Sequence, residues 1–272
     1  MAKDTSEYLY KTSCPHCGSS DANAVYSDGH HYCFSCTTYT HGEDTDQGAQ
    51  PMNPQLIPFG ETQALPKRGL TEETCRKYRY SLGSYHGQPV QIATYCDMAG
   101  NPVAQKLRFK NKDFKFIGDT KAAGLYGQHL WKQGGKMLVI TEGEVDCLSI
   151  SQAQGNRFPC VSVGTGAAGA KKAVARNLEF VESFERVVIM FDNDTAGIEA
   201  AKDVASILSV GKAAICTLPL KDANEMLVSG KQAQLIDAMW QAKTYRPDGI
   251  IAGTDLWEVV STDDNTETVL YP

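Results

Sequence analysis

The chain has 272 residues, of which 42% are hydrophobic and 21% charged, enough for two or three globular units. No stretch reaches the apolar length of a membrane span and Met1 to Ser13 lacks a signal-peptide core, so a soluble cytoplasmic protein with no membrane partner is expected. A net charge of −6 argues against coating nucleic acid by bulk electrostatics, so polynucleotide contact requires a local basic face; nine cysteines, an odd number, do not read as a disulfide framework.

In chain order, a first unit is expected over residues 1–41. Cys14-Pro15-His16-Cys17 and Cys33-Phe34-Ser35-Cys36 form two C-x2-C knuckles fifteen residues apart, a strong signal for one structural zinc held by Cys14, Cys17, Cys33 and Cys36. Four thiolates fill a tetrahedral site, so His16, His30 and His31 read as non-ligands, and metal binding and folding are expected to be one event. Between the knuckles Tyr26, Asp28, His30 and Tyr32 alternate along an expected hairpin. Such rings either cover a ribbon with little core or stack on unpaired bases, and spacing alone favours the cover.

Residues 42–58 change to Gly, Asp, Gln, Asn and Pro and read as a flexible linker. A basic subdomain is expected over 59–135, with a short helix from Thr71 to Tyr78 and strands Val90–Tyr95 and Pro102–Phe109 around a turn-rich Asp97–Asn101. Lys106, Arg108, Lys110 and Lys112 fall on every other residue, which on a strand makes a basic stripe; that is either a solvated face or a phosphate contact.

From 136 to 246 strand and helix alternate: Met137–Thr141, a helix after Asp146, Cys160–Val163, a helix through Lys171 to Phe184, Val187–Phe191, a helix after Thr195, and Ala213–Leu218. This is the pattern of a parallel sheet wound on both sides, giving a mixed α/β fold class behind a small β ribbon. The Gly-rich loop Gly164–Lys172 opens a helix and has amides suited to phosphate, but it lacks the Gly-Lys-Ser/Thr of a P-loop. Residues 247–272 are polar and acidic and read as a C-terminal linker.

Two of these strands run into acids. Met137–Ile140 ends in Glu142-Gly143-Glu144-Val145-Asp146, expected on a strand-to-helix loop, and Val187–Phe191 ends in Asp192-Asn193-Asp194. Either group alone also fits a solvated loop. On neighbouring strands Glu142, Asp146, Asp192 and Asp194 would share one crevice, a density of negative charge that calls for cations, and oxygen ligands select magnesium or manganese. Asp222, in a third loop after a strand, reads as a further metal ligand or contact, or as a helix cap.

Glu142-Gly143-Glu144-Val145-Asp146 followed by Asp192-Asn193-Asp194 resembles the Toprim signature of bacterial-type primases, topoisomerases and some nucleases. With the ribbon, the basic stripe, Ser27-Asp28-Gly29-His30, Gln105-Lys106, Gly127–Trp131 and Lys221–Glu225, the chain resembles the primase half of the bifunctional primase-helicases of T-odd bacteriophages. Thr165 departs from that family, whose best-known members carry a histidine there.

The resemblance implies a DNA primase, a nucleotidyltransferase with DNA-directed RNA polymerase activity; a Toprim metal-dependent nuclease is the alternative. It implies ribonucleoside triphosphates and a single-stranded DNA template as substrates, and a replicative helicase, as a C-terminal domain of the same polypeptide, and a DNA polymerase as partners in the host cytoplasm. It further implies two magnesium or manganese ions on Glu142, Asp192 and Asp194, with Asp146 completing the set and Glu142 alternatively moving a proton. Lys106, Arg108, Lys112 and Asp222 would bind nucleotide, Lys106 and Lys112 would count among the catalytic residues, and Asp28 and His30 would recognise the template.

Overall fold

The computed structural model describes residues 6–27, 29–40, 56–58, 60–246 and 261. The chain divides into two compact units, Met1–Met52 and Asn53–Pro272. Among the described residues no helix is long and apolar enough to cross a membrane.

The first unit is an antiparallel sheet of β1 (Tyr8–Thr12), β2 (Asn23–Tyr26), β3 (His31–Cys33) and β4 (Tyr39–Thr40), paired in that order. Its buried apolar side chains are Cys14, Ala24, Val25 and Cys33. Such a core is too small to hold a sheet by burial alone, so the thiol cluster has to supply what the apolar residues do not.

The second unit opens with α1 (Glu72–Lys77), where the Thr71 hydroxyl accepts the amide of Thr74 as N-cap. Then β5 (Tyr80–Tyr85), β6 (Gln88–Cys96), β7 (Pro102–Phe109) and β8 (Phe114–Gly118) form an antiparallel meander. Leu56 and Ile57, at the end of the expected linker, pack on the Val90, Ile92, Leu107 and Ile117 cluster of this sheet, and the Gln105 amide bridges the Ile57 backbone on both sides at 3.0 Å. Residues 42–55, 247–260 and 262–272 of the expected linkers lie outside the described residues.

The remainder runs β9 (Gly135–Thr141), α2 (Glu144–Ala153), β10 (Cys160–Ser162), α3 (Ala167–Arg176), α4 (Leu178–Glu182), β11 (Phe184–Met190), α5 (Thr195–Ala205), β12 (Ala213–Ile215), α6 (Ala223–Val228), α7 (Gln232–Trp240) and β13 (Lys243–Thr244). Sheet order is β10-β9-β11-β12-β13, with the first four strands parallel and β13 antiparallel at the edge.

Successive residues of the central strands enter opposite cores. Val139, Val188 and Met190 pack with Tyr78, Tyr95, Leu148, Met226 and Leu235, whereas Leu138, Ile140, Val187 and Ile189 pack with Val174, Phe180, Val181 and Val204. Both faces are dry, which is why these strands show unbroken apolar runs rather than alternation. Each such side chain contributes roughly 1.5–3 kcal/mol on burial.

Several expected boundaries shift by a few residues, and three of the differences bear on the site or the fold. Helix α2 begins at Glu144, so Glu144 and Asp146 stand in its first turn rather than on a loop, where the helix dipole favours acids. Strand β7 ends at Phe109 and Lys112 adopts φ 73° in the following turn, which breaks the basic stripe before Lys110. The helix expected over Lys171–Phe184 is two helices, and Phe184 already belongs to β11.

Candidate active site

Strands β9 and β11 are neighbours in register, with Thr141 opposite Met190, so Glu142 and Asp192 leave adjacent strand ends. Burial pushes the Asp192 carboxyl up to about 6, reinforced by Glu142, Asp222 and Asp194 and opposed by Lys221, whose Nζ lies 3.8 Å from Asp192 Oδ2. Asp146 is pushed up to about 7 by burial, Asp222 and Asp192, against the Asn224 amide that donates to its Oδ1 at 3.0 Å and against Arg68. Five acids thus share one electrostatic neighbourhood.

Local structure fixes their directions. Asp194 caps α5, accepting from the Gly197 amide at 2.9 Å, and a Cβ on Gly197 would meet the Asp192 carbonyl oxygen at 2.2 Å. Asp222 caps α6, accepting from the Glu225 amide at 2.7 Å. Each cap engages one oxygen and leaves the other. Glu142 Oε1 accepts from the Ala167 amide at 3.1 Å, so the first helical amide behind the Gly-rich loop, expected to face phosphate, already holds a carboxylate. Glu142 Oε2 is buried and has no hydrogen-bond partner.

An orphaned buried carboxylate oxygen beside acids that raise one another's pKa is what a divalent cation would satisfy, so the residues fit one. Among the described residues the four thiols are the one group of three or more such ligand atoms within 4.8 Å of one another. The carboxylates by themselves therefore do not form a closed ligand set, and a divalent cation held by them would keep several of its waters.

The basic wall comes from the meander. Lys106, Arg108 and Lys112 line a cavity of about 200 Å³ together with Tyr80, Gln91, Phe114, Glu142 and Glu144. Lys110 turns away and lines a separate cavity with Phe109, Asn111 and Asp113. Lys106 Nζ is 3.0 Å from Glu144 Oε1 and donates to the Gly164 carbonyl at 2.6 Å, while the Tyr95 hydroxyl donates to Glu144 Oε1 at 2.5 Å. The sequence carries no signal for Tyr95 or Arg68 at the site, and it places Glu144 in the acid run without assigning it a role. Thr165 lines a different cavity, of about 340 Å³, with Tyr95, Lys172 and Arg176.

In the ribbon the Sγ atoms of Cys14, Cys17, Cys33 and Cys36 all lie within 4.8 Å of one another, with Cys14 to Cys36 and Cys17 to Cys33 both 3.7 Å. A tetrahedron with bonds of ~2.3 Å to sulfur has edges of ~3.8 Å, so the cluster fits a thiolate-bound metal. The Thr38 hydroxyl, 3.1 Å from Cys36 Sγ, holds that thiol down to about 6 and favours the thiolate. His31 pairs with the Asn23 side chain at 3.3 Å. His30 is sandwiched between Tyr26 and Tyr39, with ring centroids 4.2 and 4.9 Å away and interplanar angles of 11° and 26°. Asp28 lies outside the described residues.

A parallel sheet with acids at its carboxyl ends, preceded by an antiparallel basic sheet and a four-cysteine ribbon, defines a ribbon-bearing Toprim protein. Residues 139–227 match the Toprim-like family and residues 60–118 match the N-terminal a+b fold of the bacteriophage T7 DNA helicase/primase. The DNA helicase/primase of Enterobacteria phage T3 is 38% identical over 268 residues, 93% of this chain and 47% of that protein. The crystal structure of the primase fragment of the bacteriophage T7 primase-helicase is 39% identical with a TM-score of 0.66, covering 86% of this chain and 100% of the fragment. A structure of bacteriophage T7 lagging-strand DNA polymerase, with primase domains of two subunits bound to an RNA/DNA hybrid and dTTP, is 42% identical with a TM-score of 0.65, covering 68% of this chain and 94% of that one. The chain belongs to the family of the phage T7 primase fragment. It spans about half the length of the curated relative it matches.

Proposed function

We propose that the chain is a DNA primase that joins ribonucleotides into short primers on single-stranded DNA, a nucleotidyl transfer with DNA-directed RNA polymerase activity. The observation that carries this reading is that Glu142, which leaves β9 beside the Asp192 end of β11 and repels its carboxylate, lines one cavity with Lys106, Arg108 and Lys112, within a chain related over most of its length to a phage primase fragment.

In this reading Asp192, Asp194 and Glu142 hold two magnesium or manganese ions, with Asp146 completing the set. Bound there, the ions would stabilise the entering 3′-oxygen and the departing pyrophosphate. Glu142, with Oε2 free of other partners, is also placed to take the proton of the attacking hydroxyl. Arg108 and Lys112 neutralise triphosphate charge, Lys106 adds one directed hydrogen bond, and Asp222 sets the edge of the nucleotide site. The ribbon metal is zinc and structural. The Tyr26–His30–Tyr39 stack offers ring faces and edges to unpaired template bases, with Asp28 beside it in sequence.

The T3 relative's name supports a helicase as a further domain of the natural polypeptide, and the polymerase complex of the T7 relative supports a DNA polymerase partner. Both would act with this chain in the host cytoplasm. Asp192→Ala and Asp194→Ala test the chemistry: each is expected to abolish nucleotide joining, Asp192→Ala with a melting temperature equal or higher because a carboxylate repelled by its neighbours is gone, and Asp194→Ala with about 0.5–2 kcal/mol less stability because the cap of α5 is lost. Near-normal primer synthesis by Asp192→Ala would remove the metal assignment.

A further inference from the structure

We propose that Tyr95 and Glu144 are positioning residues that act through Lys106, aiming its one remaining N–H donor into the cavity between the basic wall and Glu142. The inference rests on the primase reading, since it assigns that donor to a nucleotide phosphate.

An ammonium has three donors. In this structure one is taken by Glu144, whose Oε1 and Oε2 lie 3.0 and 3.1 Å from Lys106 Nζ, and one by the Gly164 carbonyl at 2.6 Å. The third is left for the cavity that Lys106 lines with Arg108, Lys112 and Glu142. With two directions fixed, one by the first turn of α2 and one by the Gly164 loop, tetrahedral geometry fixes the third. The Phe114 and Phe116 rings, 4.8 and 5.8 Å from Nζ, close the apolar sides.

Glu144 is itself held. Its residue is 8% exposed, and the Tyr95 hydroxyl, from a side chain 4% exposed on β6, donates to Oε1 at 2.5 Å. A Cβ on Gly164 would come within 1.7 Å of that hydroxyl, so the loop closes over the pair only because residue 164 is glycine. Both Glu144 oxygens are spent on Lys106 and Tyr95, which separates it from Glu142, whose Oε2 has no partner. Lys106 and Glu144 also cancel in charge. Arg108 and Lys112 therefore set the cavity's positive potential, and the contribution of Lys106 is directional. The same network ties β6, β7, α2 and the Gly164 loop together at the point where that loop leads to the Ala167 amide on Glu142.

The test is a double-mutant cycle in the full chain, with Tyr95→Phe, Lys106→Met and both together. Tyr95→Phe keeps the ring and removes one hydrogen bond to a charged group, so kcat/KM for the ribonucleotide in primer extension should fall about tenfold. In the Lys106→Met background the same change should cost no further activity and the magnesium concentration for half-maximal activity should not move, while the melting temperature should fall by a similar amount in both backgrounds, because the hydroxyl bond to Glu144 is lost in each. Losses that multiply, or a shift in the magnesium dependence, would overturn the proposal. A second readout does not need activity: acetylation of Lys106 followed by mass spectrometry should be slow in the parent and several-fold faster in Tyr95→Phe. If the parent chain joins no nucleotides the primase reading fails by itself, and unchanged Lys106 reactivity in Tyr95→Phe would refute the positioning network separately.

Discussion

Asp146 and Asp192 show how much the site costs when no cation is there. Their values of about 7 and about 6 lie above the ordinary carboxylate range, so the folded chain holds protons that the unfolded chain releases. The stability from this source is fully present below the unfolded value near ~4 and is lost as pH rises through the two folded values. In chelator, Asp146→Asn should therefore match the parent at about pH 4 and melt progressively higher than it towards about pH 8. Adding magnesium at the upper end should narrow that gap by stabilising the parent. Thermal melts across pH, with and without the ion, check this; a gap that opened on the acidic side would contradict the sign. Gly197→Ala belongs to the same scale, since its new methyl would press on the Asp192 carbonyl and should weaken nucleotide joining more than a helix alanine ordinarily would. At this scale the acids were legible because they follow apolar runs. The different role of Glu144 was not, because its neighbours in sequence are the acids while its partners in space, Tyr95 and Lys106, come from other strands.

At the scale of elements, the central strands were readable for a physical reason: β9 and β11 are covered on both faces, so their apolar runs are continuous. Ile189→Ala removes one of these fully buried side chains and should cost about 2–5 kcal/mol in denaturant melts, leaving the ribbon's metal content unchanged. The basic stripe was extended too far because alternation of charge does not reveal where a strand turns, and the turn at Lys110–Lys112 depends on a left-handed Lys112. Helix α7 and the short strand β8 carry too few periodic residues to stand out from their surroundings, whereas α6 was signalled by the cap residue Asp222. The ribbon was legible through its cysteines alone. Its apolar core is so small that metal removal should unfold it, with about one zinc per chain released by a strong chelator. Retention of the ribbon's native spectrum after chelation would count against a structural metal.

For the whole molecule, the division into Met1–Met52 and Asn53–Pro272 puts the Tyr26–His30–Tyr39 ring stack in one unit and the acids and the cationic wall in the other. A protein starting at Asn53 keeps Leu56 and Ile57 on their sheet and should extend a supplied oligoribonucleotide, yet fail to start one at a chosen template site. His30→Ala should act in the same direction and more mildly, weakening site choice by ~1–3 kcal/mol. Equal loss of starting and extension in the shortened protein would end the proposed division of labour. The net charge of −6 is consistent with contacts confined to that wall and the ribbon. The most direct test of the central claim is to incubate the chain with magnesium, labelled ribonucleoside triphosphates and end-labelled single-stranded DNA of random sequence, following both labels on one gel. Template-dependent short oligoribonucleotides on intact DNA are the predicted result, absent in Asp192→Ala. Shortened DNA with no ribonucleotide product would contradict the account and make the chain a Toprim nuclease.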